Sequence, residues 1–233
     1  MNRVSTLLEK KWALFEHFAA HITPERRAKI IHLAQERTRY ITVVLEDIYT
    51  AHNMSAVLRT SDCFGIQDVH IIEEKHAFSV SKDIVKGAAQ WLSLTRYTQR
   101  DGNDTERCFK RLRNQGYIIV ATTPHTNDVL IDELPVDKKI ALVFGTEKEG
   151  LSSYALEQAD AYVKIPLYGF TESYNISVCA GIALYELTKR MRASTVDWRL
   201  SDSERLDLQI EWLIKTTPYA SLITQKLKEL APE

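Results

Sequence analysis

The chain has 233 residues, enough for one sizeable α/β domain with helical additions or for two small domains. Hydrophobic residues at 45% and charged residues at 26% exclude a disordered chain, and no apolar run approaches the roughly 18–20 residues of a membrane span. A net charge of −1 rules out a global basic field, so any hold on nucleic acid must come from local patches. The first residues, MNRVSTLLEKKWALFEHF, are broken up by charge and lack the apolar core of a signal peptide, which makes cytoplasmic residence the expectation. Cys63, Cys108 and Cys179 are far apart with no CxxC spacing; they read as reduced thiols, with no zinc site and no other metal site expected.

Residues 1–20 carry a helical pattern, with Leu7, Leu8, Trp12, Phe15 and Phe18 suggesting one apolar face. A second helix over 24–38 opens with Thr23 as cap, Pro24 at the first helical position and Glu25 in the first turn. Residues 1–39 hold eight Lys or Arg against four Glu, and a second basic cluster comprises Lys189, Arg190 and Arg192 with Arg199 following. These patches suit a phosphate backbone, although solvated helix faces would look the same.

After Arg39 the pattern changes. Short β-branched strands are predicted at Ile41–Leu45, Val69–Ile72, Trp91–Leu94, Tyr117–Ala121, Ile140–Phe144 and Ala161–Ile165. Helices are predicted between them at about 54–64, 79–90, 104–115 and 151–158. Such alternation predicts a parallel sheet covered by helices on both faces. A further helix is predicted over 174–192 and another over about 202–231, with Leu206, Ile210, Leu213 and Ile214 at helical spacing. The domain boundaries expected are 1–39 for an N-terminal helical extension, 40–193 for the α/β domain and 194–233 for a C-terminal helical extension.

No GxGxxG follows the first strand and no Walker A sequence occurs, which disfavours ordinary nicotinamide, flavin or ATP sites. Polar and glycine signals gather instead after three late strands: Thr122-Thr123-Pro124, Gly145-Thr146-Glu147-Lys148-Glu149-Gly150, and the stretch from Tyr168 to Asn175. Ligands of open α/β sheets sit at the carboxyl ends of strands, so the three loops together describe a pocket. A fourth segment, from His52 to Thr60, opens the first helix after strand one, with Asn53 suited to a cap. Arg59 lies in the apolar run Ala56-Val57-Leu58 and close to Phe64; a buried arginine needs an anionic partner, either an acid or a phosphate.

The segments HNMSAVLRTSDCFG, VFGTEKEGLS and KIPLYGFTESYNISVCAGIALYE resemble, in order and spacing, the three signature motifs of the SpoU/TrmH family within the SPOUT superfamily. The resemblance runs from about residue 40 to 193. It implies a SPOUT fold whose C-terminal part threads into a trefoil knot, an exception to the rule against threaded connections. It also implies an RNA 2′-O-ribose methyltransferase using S-adenosylmethionine and releasing S-adenosylhomocysteine, active as a homodimer whose subunits share each site. By the same resemblance Thr122, Gly145, Glu147, Ile165, Leu167, Ser173, Tyr174 and Asn175 hold the cofactor. Asn53 and Arg59 serve the reaction, Glu147 and Asn175 shape the pocket, and Ser173 orients the third motif. Tyr174 departs from the family pattern, standing where an aliphatic residue is usual.

The opening segment from Ile22 to Arg39 resembles the members of the family that methylate guanosine 18 in the D-loop of tRNA. That makes tRNA the expected partner, an rRNA ribose the alternative, and a catalytically silent RNA-binding relative a third reading; neither DNA nor membrane is expected. Arg26, Arg27, Arg37, Arg39, Arg59, Lys189, Arg190 and Arg192 are the residues expected to contact RNA.

Overall fold

A computed structural model describes residues 3–75, 87–124 and 129–217. The chain divides into two compact units, one of Met1–Arg37 with Arg199–Glu233, the other of Thr38–Trp198.

In the first unit, helices α1 (Arg3–Ala19) and α2 (Pro24–Gln35) pack with α7 (Asp202–Thr216). Phe15 and Phe18 are buried with Trp212, Leu206 and Leu213, whereas Leu8 and Trp12 are 38% and 48% exposed; the Leu7 side chain of the predicted apolar face lies outside the described residues. Thr23 caps α2 as predicted, its hydroxyl accepting from the Arg26 N–H. Helix α7 opens with a capping box between Ser201 and Glu204. The continuation predicted from 218 to 231 lies outside the described residues.

The second unit is α/β. Its described strands are β1 (Ile41–Glu46), β2 (Asp68–Ile72), β3 (Ser93–Tyr97), β4 (Tyr117–Thr122), β5 (Val129–Leu130), β6 (Lys139–Phe144) and β7 (Ala161–Lys164). They form one parallel sheet in the order β3-β2-β1-β6-β4-β7-β5. Its helices are α3 (Ala51–Cys63), α4 (Asp104–Asn114), α5 (Ser153–Glu157) and α6 (Ile176–Ala193). Side chains alternate across a strand, so Ile41, Val43 and Leu45 of β1 pack on Met54, Val57 and Leu58 of α3 and on Ala180 and Leu184 of α6, while Val44 meets Phe109 of α4 on the other face. Both faces are covered, as a parallel sheet requires.

Most of the predicted helix 79–90 lies outside the described residues; Ala88–Trp91 form a 3-10 turn. The predicted strand Trp91–Leu94 is displaced to Ser93–Tyr97, because Trp91 and Leu92 belong to that turn and its end. Among the described residues no helix is long and apolar enough to cross a membrane.

His70 on β2 is buried and shares a 3.1 Å hydrogen bond between its Nδ1 and the Tyr97 hydroxyl. Burial, with Arg111 adding to it, pushes its imidazole from 6.5 down to about 4. The unfolded chain therefore takes up a proton below pH 6.5 that the folded chain refuses, so stability is intact above that pH and falls as pH drops toward 4. The loss expected from this group between pH 7 and pH 5 is about 2 kcal/mol, read as a lower urea midpoint. A His70→Gln variant whose slope over that window matched the parent chain would contradict the assignment.

Candidate active site

Strands β6, β4 and β7 lie side by side, with Ala121 opposite Val143 and Thr122 opposite Val163. Their carboxyl ends open onto a cavity of about 330 Å³, within the range of small-molecule sites. Phe144, Ile165, Leu167 and Ile176 give it apolar walls, and Thr122, Glu147 and Ser173 add polar ones. All the residues expected to hold a cofactor line this cavity except Asn175, which lies beside it. The Thr122 hydroxyl donates to the Val143 carbonyl at 2.9 Å, fixing its rotamer at the strand end. Tyr174 donates its hydroxyl to the Pro166 carbonyl at 3.0 Å, tying the two ends of the loop that carries the third motif. Cys179 is also in the wall, and burial pushes its thiol up to about 11, so it serves as an apolar surface at neutral pH.

The loop after β6 closes on itself. Thr146 and Gly150 exchange backbone hydrogen bonds of 2.9 and 3.1 Å, and the Glu149 N–H donates to the Thr146 hydroxyl at 3.0 Å. Gly150 makes the return possible with φ +71, a conformation that favours glycine. A Cβ on Gly145 would fall on the carbonyl carbon and oxygen of Gly150. Glycine there is a steric requirement of the closed loop.

This loop presents Glu147 to the other two motifs. One carboxylate oxygen, Oε1, accepts from Asn53 Nδ2 and from Asn175 Nδ2, both at 2.6 Å, and Asn175 Nδ2 also approaches Asn53 Oδ1 at 3.3 Å. Asn53 comes from α3 and Asn175 from the start of α6, so three side chains distant in sequence meet at one oxygen. Asn53 is not the cap expected from the sequence: α3 starts earlier, Thr50 occupies the N-cap, and Asn53 lies inside the helix with its side chain turned to Glu147. Asn175 is itself a cap, its Oδ1 accepting from the Ser177 N–H at 2.9 Å and hydroxyl at 2.6 Å, and α6 begins at Ile176 rather than 174.

Glu147→Ala removes the common acceptor and is expected to lower turnover on the order of 100-fold. Glu147→Gln keeps one carbonyl oxygen for both asparagines and should fall less than about tenfold by the same reasoning. Steady-state rates of the two variants check this; equal rates for both would contradict it.

Arg59 departs from the expectation of burial. Helix α3 buries Met54, Val57, Leu58 and Ser61, a stripe that leaves Arg59 on the exposed side. It makes no hydrogen bond or ion pair to another described residue and lines neither this cavity nor the adjoining one.

The expected RNA-contacting residues are divided. Arg26 and Lys189 are exposed. Arg37 is buried with its guanidinium 5.1 Å from the Trp212 ring centroid. Arg27 pairs with Glu16 across Phe15, Arg39 with Asp68, and Arg190 reaches the Ile131 carbonyl; Arg192 lies over Trp198. Two buried acids escaped the sequence reading. Glu46, ending β1, accepts from Thr105 Oγ1 and from Ser152 N and Oγ, each at 2.8 Å, and Asp47 accepts from the Lys75 N–H at 2.9 Å. The available signal was an acidic pair closing an apolar strand.

Residues 40–185 match the model of the family described as the SpoU rRNA Methylase family. The chain is 41% identical over 191 residues to a protein of Borreliella burgdorferi named tRNA (guanosine(18)-2'-O)-methyltransferase, covering 82% of this chain and 85% of that one. Its fold is similar to that of the Aquifex aeolicus TrmH/SpoU tRNA modifying enzyme, with a TM-score of 0.70 and 27% identity over 83% of this chain and 98% of the other. It is also similar in fold to the SpoU methyltransferase AviRb from Streptomyces viridochromogenes, whose structure contains AdoMet, with a TM-score of 0.59 and 20% identity over 68% and 63% of the two chains.

Proposed function

This chain belongs to the SpoU rRNA methylase family, and from that premise we propose that it methylates the ribose 2′-hydroxyl of guanosine 18 in tRNA with S-adenosylmethionine. The observation that carries the reading is the meeting of Asn53, Glu147 and Asn175 at one oxygen beside the strand-end cavity. The name of the Borreliella relative supports the choice of tRNA.

The cavity suits the donor. Ile165, Leu167 and Ile176 would hold a purine by their apolar surface, and the closed loop from Gly145 would supply main-chain hydrogen-bonding groups to it. S-adenosylmethionine supplies a sulfonium methyl group, which passes to the ribose oxygen as the carbon–sulfur bond breaks and leaves a neutral thioether.

The ribose hydroxyl is a very weak acid and must lose its proton as the new bond forms. Arg59 is assigned to this step as an electrostatic partner. Its guanidinium, with a pKa above about 12, is a poor base. It binds the neighbouring phosphate and offsets the charge that develops on the oxygen, and the proton passes to phosphate or water. Since Arg59 lines neither cavity of its own chain, a second copy presents it.

The dimer this requires is supported by α6. Val178, Ile182 and Tyr185 form an exposed stripe at helical spacing, on the side opposite the buried Ala180, Ala183, Leu184 and Leu187. The trefoil threading of the segment through β7 and α6 belongs to this proposal, as do RNA contacts by Arg26 and Lys189 and activity in the cytoplasm.

Calorimetry tests the reading. S-adenosylhomocysteine is expected to bind with a Kd in the micromolar range or tighter, roughly −8 kcal/mol, and NAD not to bind. Absence of S-adenosylhomocysteine binding would overturn it.

A further inference from the structure

Next to the donor cavity lies a second one of about 590 Å³, which shares Thr146–Gly150 and Ile176 with it and has Asn53 in its wall. Its floor is built. Glu46 and Asp47, 3% and 7% exposed, close β1 there. Glu46 holds Ser152 and Thr105, and Asp47 holds the Lys75 N–H from a left-handed backbone conformation, φ 52. A positive φ is uncommon for a residue with a side chain, and aspartate is among the types that adopt it most readily. At the rim stands Tyr49, 78% exposed, and Lys75 bridges to Glu149 at 3.0 Å.

We propose that this second cavity seats the acceptor nucleoside, a guanosine swung out of its stack, with its base against the Tyr49 ring and its ribose toward Asn53. The assignment rests on the methyltransferase reading above. Specific RNA recognition works largely on unstacked bases, laid on aromatic rings and read along their edges. The wall carries four carboxylates, Glu46, Asp47, Glu147 and Glu149, against the ammonium groups of Lys75 and Lys148. A negative wall repels phosphate and favours a base edge rich in N–H donors. Guanine, with N1–H and an exocyclic amine side by side, presents such an edge, and adenine presents only its amine. The wall shared with the donor cavity places that ribose next to the methyl group.

The test uses the full-length protein and tRNA transcripts with guanosine or inosine at the acceptor position. Tyr49→Ala is expected to lower kcat/KM for the guanosine transcript on the order of tenfold or more, the size of one lost base-stacking contact. Tyr49→Phe, which keeps the ring, should recover most of that loss. S-adenosylhomocysteine affinity, read by calorimetry, should be the same in both variants and the parent. Inosine, lacking the exocyclic amine, should be methylated more slowly than guanosine by the parent chain. Full kcat/KM in Tyr49→Ala, or a parallel loss of S-adenosylhomocysteine binding, would overturn this seat while leaving the methyltransferase reading intact. A parent chain that binds S-adenosylhomocysteine yet methylates no RNA would overturn both.

Discussion

Arg59→Ala is expected to all but abolish methyl transfer, lowering it on the order of 1,000-fold, the upper end of the scale for removing an electrostatic stabiliser from a reacting centre. The same variant should bind S-adenosylhomocysteine within about twofold of the parent, since Arg59 lines neither cavity. Its position is the ground on which the proposal assigns it to the site of a second copy. Arg59 is six residues past Asn53 on α3, roughly 9 Å along the helix axis, and faces outward. Mixing Arg59→Ala chains with chains unable to bind the donor should therefore restore activity: a mixed dimer pairs an intact donor cavity on one chain with an intact arginine on the other. Random exchange gives about a quarter of the parent rate, with one working site in each mixed dimer. No restoration on mixing would place the arginine and the donor in the same chain.

Gly145→Ala is expected to weaken S-adenosylhomocysteine binding about 100-fold, a cost of roughly 2.7 kcal/mol. The added Cβ falls on the Gly150 carbonyl, so the closed loop must open, and with it move Glu147 away from both asparagines. Gly169 is the control: its added Cβ would meet nothing within 4 Å, so Gly169→Ala should bind as the parent does. Calorimetry on the pair separates a steric requirement of one loop from a general dislike of substitution. Equal affinities in the two variants would count against the closed loop as the donor's cradle.

The sheet was readable because its strands are buried on both faces and therefore spell continuous β-branched runs; β1 and β6 differ from expectation by a residue at one end. The edges were harder. β3 alternates between half-buried and exposed and stands beside an apolar turn that mimics a strand, while β5, Val129–Leu130, is too short to carry a period. The strand-end loops were legible as glycine and polar clusters, yet the roles within them came from geometry. Asn53 sits three residues farther into its helix than the cap, a difference that sequence pattern alone does not resolve. Arg59 was misjudged because its sequence neighbours are apolar, whereas burial on a helix follows a stripe at three- and four-residue spacing. Arg37 shows the reverse case, a cation in a basic segment that is buried over Trp212, which its sequence neighbours do not announce. Glu46 has no motif, and its importance is visible only through Thr105 and Ser152, 59 and 106 residues away.

The central claim concerns what the methyl group is transferred to. Unmodified tRNA and rRNA transcripts incubated with the purified protein and S-adenosylmethionine, then digested and read by mass spectrometry of ribose-methylated nucleosides, give the direct answer. The account predicts 2′-O-methylguanosine in a D-loop fragment of tRNA, absent when Arg59→Ala replaces the parent chain. Methylation confined to rRNA, or found on a base instead of a ribose, would contradict it.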